Sequence, residues 1–234
     1  MTMPPVAILA GGLATRLHPV TEKIPKSLIE VAGEPFICHQ LRLLSRESVS
    51  HVVLCVGYLG EMIRERIGNG AAFDLVVDYS FDGDVLLGTG GALRKALPKL
   101  GDAFLVLYGD SYLDIRYLPV WTAFRQSGKP ALMTVMRNEG RWDTSNVVFD
   151  GRRILRYDKR DLTPDMQYID YGLGVLTAEV LRSRPEGVAF DLAEVYSSLA
   201  AAGELAGYEV TQRFYEIGTP RGIEETQAYL RKNA

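Results

Sequence analysis

The sequence predicts an α/β fold: a doubly wound, mostly parallel, Rossmann-like sheet with a small antiparallel insertion. Three observations carry this prediction. Short apolar runs alternate with helix-period segments along most of the 234 residues, and strands alternating with helices form a parallel sheet covered on both faces. The first run, Val6 to Ala10, is uncharged, too short for a helix, and ends on Gly11-Gly12, as a buried strand entering a tight turn does. Between about 131 and 176 strand-like runs crowd around the turn Asp150-Gly151, which predicts the antiparallel part, lying over the sheet.

Taken in order, strands are predicted near 6–10, 52–56, 75–79, 103–108, 131–136, 146–149 and 171–176, and helices near 35–47, 59–67, 90–97 and 117–127. The third of these helices is predicted to end before Pro98, with Thr89 as its N-cap. Asp191 followed by Glu194 opens a further helix that Gly203 terminates, and Thr219-Pro220 reads as N-cap and first residue of a last helix to about 231. No internal repeat, low-complexity tract or linker interrupts the pattern, so a single domain over 1–234 is expected.

Composition excludes several classes of function. A net charge of −3 and an isoelectric point near 5.7 give no global basic field, so no nucleic-acid partner is expected. No apolar run approaches the roughly 18 residues that span a bilayer, and the first strand starts too early for a secretory leader. A soluble, cytoplasmic protein with no membrane partner is the expectation. Cys38 and Cys55 lie in apolar surroundings without C-x-x-C spacing and read as reduced core residues, and His18, His39 and His51 show no metal-ligand spacing.

The chemistry begins in Leu9-Ala10-Gly11-Gly12 and continues through Thr15-Arg16 to Pro25-Lys26. Two glycines turn the backbone and present N–H groups to an anion. Arg16 adds a planar fork for phosphate oxygens and Lys26, ten residues on, a compact charge. Lys26-Ser27 has no preceding glycine and the turn lacks G-x-G-x-x-G, so neither a Walker loop nor a dinucleotide fingerprint is present.

With Leu9, Ala10, Gly11, Gly12, Thr15, Arg16, Leu17, Pro19, Thr21, Pro25 and Lys26 in register, the chain resembles the sugar-1-phosphate nucleotidyltransferases, whose signature runs approximately L-A-G-G-x-G-T-R-L-x-P-L-T with P-K about ten residues after the arginine. The resemblance covers nearly the whole chain. It implies a glycosyltransferase-A-like nucleotidyltransferase fold, and no left-handed β-helix domain is expected after it. Ala14 departs from the usual glycine. A Cβ there costs on the order of 1 kcal/mol if φ is positive, so Ala14 is expected at negative φ, with a slightly re-shaped loop as the alternative.

The resemblance assigns further roles. Leu87-Gly88-Thr89-Gly90-Gly91, where three glycines permit close approach to a flat base, stands where the family meets nucleobase and ribose, and Gly88 and Thr89 are its candidate contacts here. The form L-G-T-G-G-A looks most like guanylyltransferases acting on heptose 1-phosphates and, less closely, on mannose 1-phosphate. Gly109-Asp110 ends an apolar strand, and Asp110 stands where the family's aspartate binds Mg²⁺; a strand-end carboxylate suits a hard cation. In Glu216-Ile217-Gly218-Thr219-Pro220 a glutamate replaces the family's second acidic ligand, its carboxylate extended by about 1.5 Å. Lys159, in Arg156-Tyr157-Asp158-Lys159, is the sugar-phosphate lysine by resemblance, and Asp170 and Gly172 of Ile169-Asp170-Tyr171-Gly172 touch the sugar, Asp170 replacing asparagine and favouring a hydroxyl-rich sugar.

Together these imply a Mg²⁺-dependent enzyme that transfers a nucleoside monophosphate, from GTP by first choice, to a heptose or hexose 1-phosphate. Arg16, Lys26 and Asp110 are the catalytic candidates, and Leu9, Ala10, Gly11, Gly12, Thr15, Gly88, Thr89 and Gly109 the nucleotide contacts. Lys159, Asp170 and Gly172 bind the sugar phosphate, and Asp110 and Glu216 hold the metal. Uridylyl, thymidylyl or cytidylyl transfer stays open within the enzyme class, as do a catalytically silent nucleotide-sensing module outside it and a homodimer as the assembly.

Overall fold

The computed structural model describes residues 2–17 and 19–233, so His18 lies outside the described residues. After Pro4-Pro5 the chain enters β1 (Val6–Leu9), followed by 3₁₀ turns at Thr15–Leu17, Val20–Glu22 and Lys26–Leu28 and a small antiparallel ladder, β2 (Glu30–Val31) with β3 (Glu34–Pro35). Then come α1 (Phe36–Arg46), β4 (His51–Val56), α2 (Gly60–Ile67), β5 (Val76–Phe81), α3 (Gly88–Leu100), β6 (Ala103–Tyr108), β7 (Ser111–Tyr112), α4 (Tyr117–Ser127) and β8 (Ala131–Arg137). The remainder is β9 (Val147–Phe149), β10 (Ile154–Tyr157), β11 (Tyr168–Thr177), α5 (Ala178–Arg182), α6 (Leu192–Ala201), β12 (Leu205–Glu209), β13 (Tyr215–Glu216) and α7 (Pro220–Lys232).

β1 is central because every one of its neighbours is apolar too. It pairs in parallel with β4 (Val6 opposite Val52) and with β6 (Val6 opposite Leu105), and β4 pairs in parallel with β5. The path runs β10-β9-β11-β6-β1-β4-β5, with β8 against β11 and β12 against β8. The chain first winds from β1 out to β5, then returns to the other side of β1 as β6. Strand order therefore reverses between β1 and β6, the place where open α/β sheets bind ligands.

From β6 onward the sheet turns mostly antiparallel, β11 pairing antiparallel with both β6 and β8, while β12 runs parallel to β8. The predicted antiparallel insertion is the β9–β10 hairpin, whose Asp150 carboxylate accepts from the N–H groups of Arg152 and Arg153. It extends one end of the same sheet rather than lying over it, because Val147 pairs with Tyr168 of β11.

Side-chain alternation divides the core. Val6, Ile8, Val52, Leu54, Leu105 and Leu107 face α1, α2 and α4, whereas Ala7, Val53, Cys55, Phe104 and Val106 face α3, α5 and α6. A third cluster joins Leu17, Phe36, Leu43 and Tyr112 to Ile217 and Leu230, fastening the start of the chain to α7. Cys38 and Cys55 are buried and free, as expected, while His39 and His51 lie within ion-pair distance of Glu34 and Asp78. Among the described residues no helix is long and apolar enough to cross a membrane.

The two explicit end signals are realised. Asp191 accepts from Ala193 N–H at the start of α6, and Thr219 accepts from Gly222 N–H at the start of α7, with Pro220 first in the helix. Gly203 and Glu204 close α6 by donating to Ala200 and Leu199 carbonyls, the Schellman pattern. The signals around α3 fail. It begins at Gly88 with Leu87, not Thr89, as N-cap, and it runs through Pro98 to Leu100. A proline in the last turn removes one helical bond, while Leu97 and Leu100 stay buried on the helix's apolar face.

Candidate active site

Two cavities meet where strand order reverses. The smaller, of about 230 Å³, is built from the loop after β1 (Leu9, Ala10, Gly11, Gly12), the start of α3 (Gly88, Thr89) and the end of β6 (Tyr108, Gly109, Asp110). Lys26 and Ser27 close one side and Asp82 another. Gly109 is required here: a Cβ would stand 2.8 Å from the Leu9 carbonyl oxygen, so only glycine lets the two strand ends lie this close. Thr15 is exposed and lines neither cavity.

The larger cavity, of about 550 Å³, shares Tyr108 and Asp110 with the first and is lined by Arg16, Lys159, Asp170, Gly172 and Glu216. Tertiary pairing brings these together. β13 pairs with β7, placing Glu216 opposite Ser111, and Ile217 N–H donates to the Asp110 carbonyl at 2.9 Å. The late motif is thereby laid against the end of β6.

Lys26 Nζ donates to Asp110 Oδ2 at 2.7 Å, joining residues 84 positions apart, and Ser111 Oγ donates to Oδ1 at 3.2 Å. Buried Gln40 on α1 fixes this turn by donating to the Tyr108 and Ser111 carbonyls at 2.9 and 2.8 Å. Lys159 Nζ lies 5.9 Å from the ring centroids of both Tyr108 and Tyr157, which holds an exposed ammonium over the cavity by cation–π attraction. Asp158, beside it, accepts from the N–H groups of Arg160 and Asp161 and shapes the turn.

Asp170 accepts from Gly172 N–H at 3.0 Å and from Tyr157 Oη at 3.3 Å, in a bulge of β11 where Gly172 adopts a φ of 101°. Burial raises the pKa of its carboxyl above the ordinary value, against the opposing pull of Lys159 and the Gly172 N–H.

Two carboxylates, Asp110 and Glu216, face the larger cavity from adjoining segments, a hard-oxygen set that suits Mg²⁺. Among the described residues no group of three or more His, Cys, Asp or Glu is placed to hold an ion. A cation here would complete its shell from phosphate oxygens. Glu216 is partly committed elsewhere: it accepts from Gly218 N–H and, at 3.0 Å, from the Thr219 hydroxyl, at the N-terminus of α7.

One expectation about the phosphate loop is corrected. Ala14 adopts a φ of 51°, not a negative value. Its carbonyl accepts from Leu17 N–H at 3.0 Å and from the Thr21 hydroxyl at 2.9 Å, bonds that offset a left-handed alanine's cost of about 1 kcal/mol. Gly88, Gly90 and Gly91 are required by the fold itself, since a Cβ at each would crowd the segment Val188 to Phe190. A Cβ on Gly90 would overlap the Phe190 ring, and Thr89 uses its hydroxyl to donate to Asp191 and to accept from Leu192 N–H.

Asp82, Ser27 and Gln40 escaped the sequence reading. Asp82 Oδ2 accepts from Leu87 N–H at 3.1 Å, and burial raises the pKa of its carboxyl. Ser27 Oγ is buried against the smaller cavity with no hydrogen-bond partner among the described residues. Asp82 ends a strand-like run just before the glycine segment, a signal available from sequence; Gln40 gives none, since its partners are carbonyls 68 and 71 residues away.

Over residues 6–231 the chain matches the family described as nucleotidyl transferase. It is 29% identical over 223 residues to the mannose-1-phosphate guanylyltransferase catalytic subunit beta of Danio rerio, covering 92% of this chain and 61% of that protein. It is 28% identical over 228 residues to the N-acetylmuramate alpha-1-phosphate uridylyltransferase of Neisseria meningitidis serogroup B, covering 94% and 96%. The chain thus spans about three-fifths of the first relative and nearly all of the second. A crystal structure of a putative glucose-1-phosphate thymidylyltransferase from Bacillus anthracis superposes with a TM-score of 0.84 at 20% identity, over 98% of this chain and 96% of that one, and so shares its fold.

Proposed function

The chain belongs to the nucleotidyl transferase family, and from that premise we propose that it transfers a nucleoside monophosphate, GMP by preference, from a nucleoside triphosphate to a sugar 1-phosphate with release of pyrophosphate. The carrying observation is the pair of cavities that share Tyr108 and Asp110. A small, glycine-walled cavity suits a base and ribose, and a larger, charged one suits phosphates and a sugar.

The reaction needs no nucleophilic side chain. A phosphate monoester has a second pKa near 6, so the sugar phosphate is largely dianionic at neutral pH and attacks the α-phosphorus itself. The new phosphorus–oxygen bond forms as the α–β bridge breaks, and the electron pair leaves with pyrophosphate. The protein holds two polyanions in line and neutralises charge. Lys26 serves the α-phosphate, Arg16 the leaving pyrophosphate and Lys159 the attacking phosphate. Asp110, with Glu216 as the second carboxylate, would hold Mg²⁺, which supplies charge neutralisation on phosphate oxygens.

Asp82 supports the preference for guanine. Its acceptor-only carboxylate is matched by guanine's adjacent ring N–H and amino donors, whereas uracil and thymine offer one N–H between two carbonyls. Asp170 likewise accepts from sugar hydroxyls and not from an acyl carbonyl, in keeping with a heptose or hexose 1-phosphate. Uridylyl transfer is the second reading, favoured by the full-length match to the N-acetylmuramate alpha-1-phosphate enzyme.

The test is pyrophosphate release with Mg²⁺ and the common nucleoside triphosphates crossed with heptose, mannose, glucose and N-acetylated sugar 1-phosphates. GTP with a heptose or hexose phosphate is the expected combination. Nucleotide-dependent thermal stabilisation without pyrophosphate from any combination would overturn the transferase reading in favour of a sensing module.

A further inference from the structure

A column of stacked side chains stands in the wall of the larger cavity. The Arg213 guanidinium lies 4.4 Å from the Trp142 ring centroid and 4.9 Å from that of Tyr215, and Tyr215 stacks on Tyr229 of α7 at 4.0 Å and 22°. Trp142, Arg213 and Tyr215 all line the cavity. Arg213 is ion-paired with Glu225, so its charge is already answered and its contribution here is a flat packing surface.

Trp142 is held from two directions. Its backbone N–H donates at 3.0 Å to the side-chain oxygen of buried Asn138, whose amide group in turn donates to Ser145 Oγ at 3.0 Å and to the Asp143 carbonyl. Its ring rests on Arg213. Yet the side chain is 41% exposed. A large aromatic surface fixed at backbone and flank but left open to a polar cavity adds little to the core, and is organised for a ligand with an apolar face and a polar edge.

We propose that Trp142 is the platform on which the sugar ring of the sugar 1-phosphate stacks, and that Arg213 is the residue that positions it. The inference rests on the transferase reading above. A pyranose presents C–H groups on its faces and hydroxyls at its edge, and the indole supplies a rigid apolar surface at small entropic cost. Asp170 and Lys159, in the same cavity, remain for the hydroxyls and the phosphate.

Trp121→Phe leaves Trp142 as the sole tryptophan of the chain's two. In that background, mannose 1-phosphate and glucose 1-phosphate are titrated against tryptophan emission, with inorganic phosphate as the control. A saturable change with a sugar phosphate and none with inorganic phosphate is expected. Trp142→Ala should raise the KM for the sugar phosphate roughly threefold to tenfold, leave that for the nucleotide unchanged and keep nucleotide-induced thermal stabilisation; Trp142→Tyr should recover most of the loss. Arg213→Met should raise the same KM and blunt the emission response, with partial recovery in Arg213→Lys. Turnover with an unchanged sugar-phosphate KM in Trp142→Ala, or equal responses to sugar phosphate and inorganic phosphate, overturns the platform alone. No pyrophosphate from any nucleotide and sugar phosphate overturns the transferase reading, and the platform with it.

Discussion

The two cavities that share Tyr108 and Asp110 are made of opposite materials. The smaller is walled largely by main chain and small residues around the ends of β1 and β6 and the start of α3, with Lys26 and Asp82 at its sides, whereas the larger is walled by long charged and aromatic side chains carried by segments from Arg16 to Glu225. A flat base is held by close backbone approach, which needs contiguous glycine motifs. Phosphates and a sugar are held by charges and hydrogen-bonding groups, which can be drawn from anywhere the fold brings them. In the proposed reaction, the shared wall is where the two kinds of recognition meet.

The most severe test of that picture removes the shared wall. Asp110→Ala should lower turnover by about 10²–10³-fold at saturating magnesium, the scale of losing one electrostatic element at a reacting centre; pyrophosphate release at near-wild-type rate would mean that the two cavities do not serve one reaction. Packing behind the start of α3, beside the smaller cavity, comes next. Gly90→Ala sets a Cβ into the Phe190 ring and should cost about 1–3 kcal/mol, read as a fall in Tm of roughly 2–4 °C per kcal/mol for a chain of this size. An unchanged Tm would show that the start of α3 is not set by its contact with Phe190.

Asp82→Asn should then reduce the preference for GTP over UTP, in kcat/KM, roughly tenfold, the scale of one hydrogen bond to a charged group. A ratio that does not move would assign base choice to the backbone instead.

The larger cavity offers a pH test through Asp170. Its carboxyl titrates above its unfolded value because of burial, so within that interval the folded chain binds more protons than the unfolded one, and stability falls as pH rises through it. Asp170→Asn, which carries no charge, should therefore melt higher than wild type at neutral pH. The gain should shrink as pH falls toward the ordinary carboxyl value, and a gain independent of pH would contradict the buried-charge account. The smallest effect belongs to the phosphate loop: Ala14→Gly relieves a left-handed alanine but loosens the unfolded chain, for a net gain below about 1 kcal/mol in denaturant unfolding. A loss would show that the alanine side chain itself packs against something the loop needs.

Legibility followed locality. β6 and α4 match their predicted spans of 103–108 and 117–127, and the N-caps Asp191 and Thr219 act as read, because an uninterrupted apolar run or a capping residue acts within a few positions. β12 was missed since its short Leu205–Glu209 run, just past the Gly203 stop of α6, is held by pairing with β8, some 74 residues earlier in register. The start of α3 was misread because Thr89 found partners at Asp191 and Leu192 instead of in its own first turn.

The sequence by itself determined the alternating fold, the glycine turn after β1, and the residue types that a phosphate chemistry requires, because each depends on neighbours along the chain. Only the tertiary structure decided that Lys26 and Asp110 face one another, that Glu216 is partly engaged at the start of α7, that Asp82 faces the smaller cavity, that Ala14 turns left-handed, and that Trp142 rests on Arg213. Those outcomes depend on strand order and on which backbone groups lie within hydrogen-bond reach. Spacing along the chain does not specify distances that arise from pairing β1 with β6 and β7 with β13.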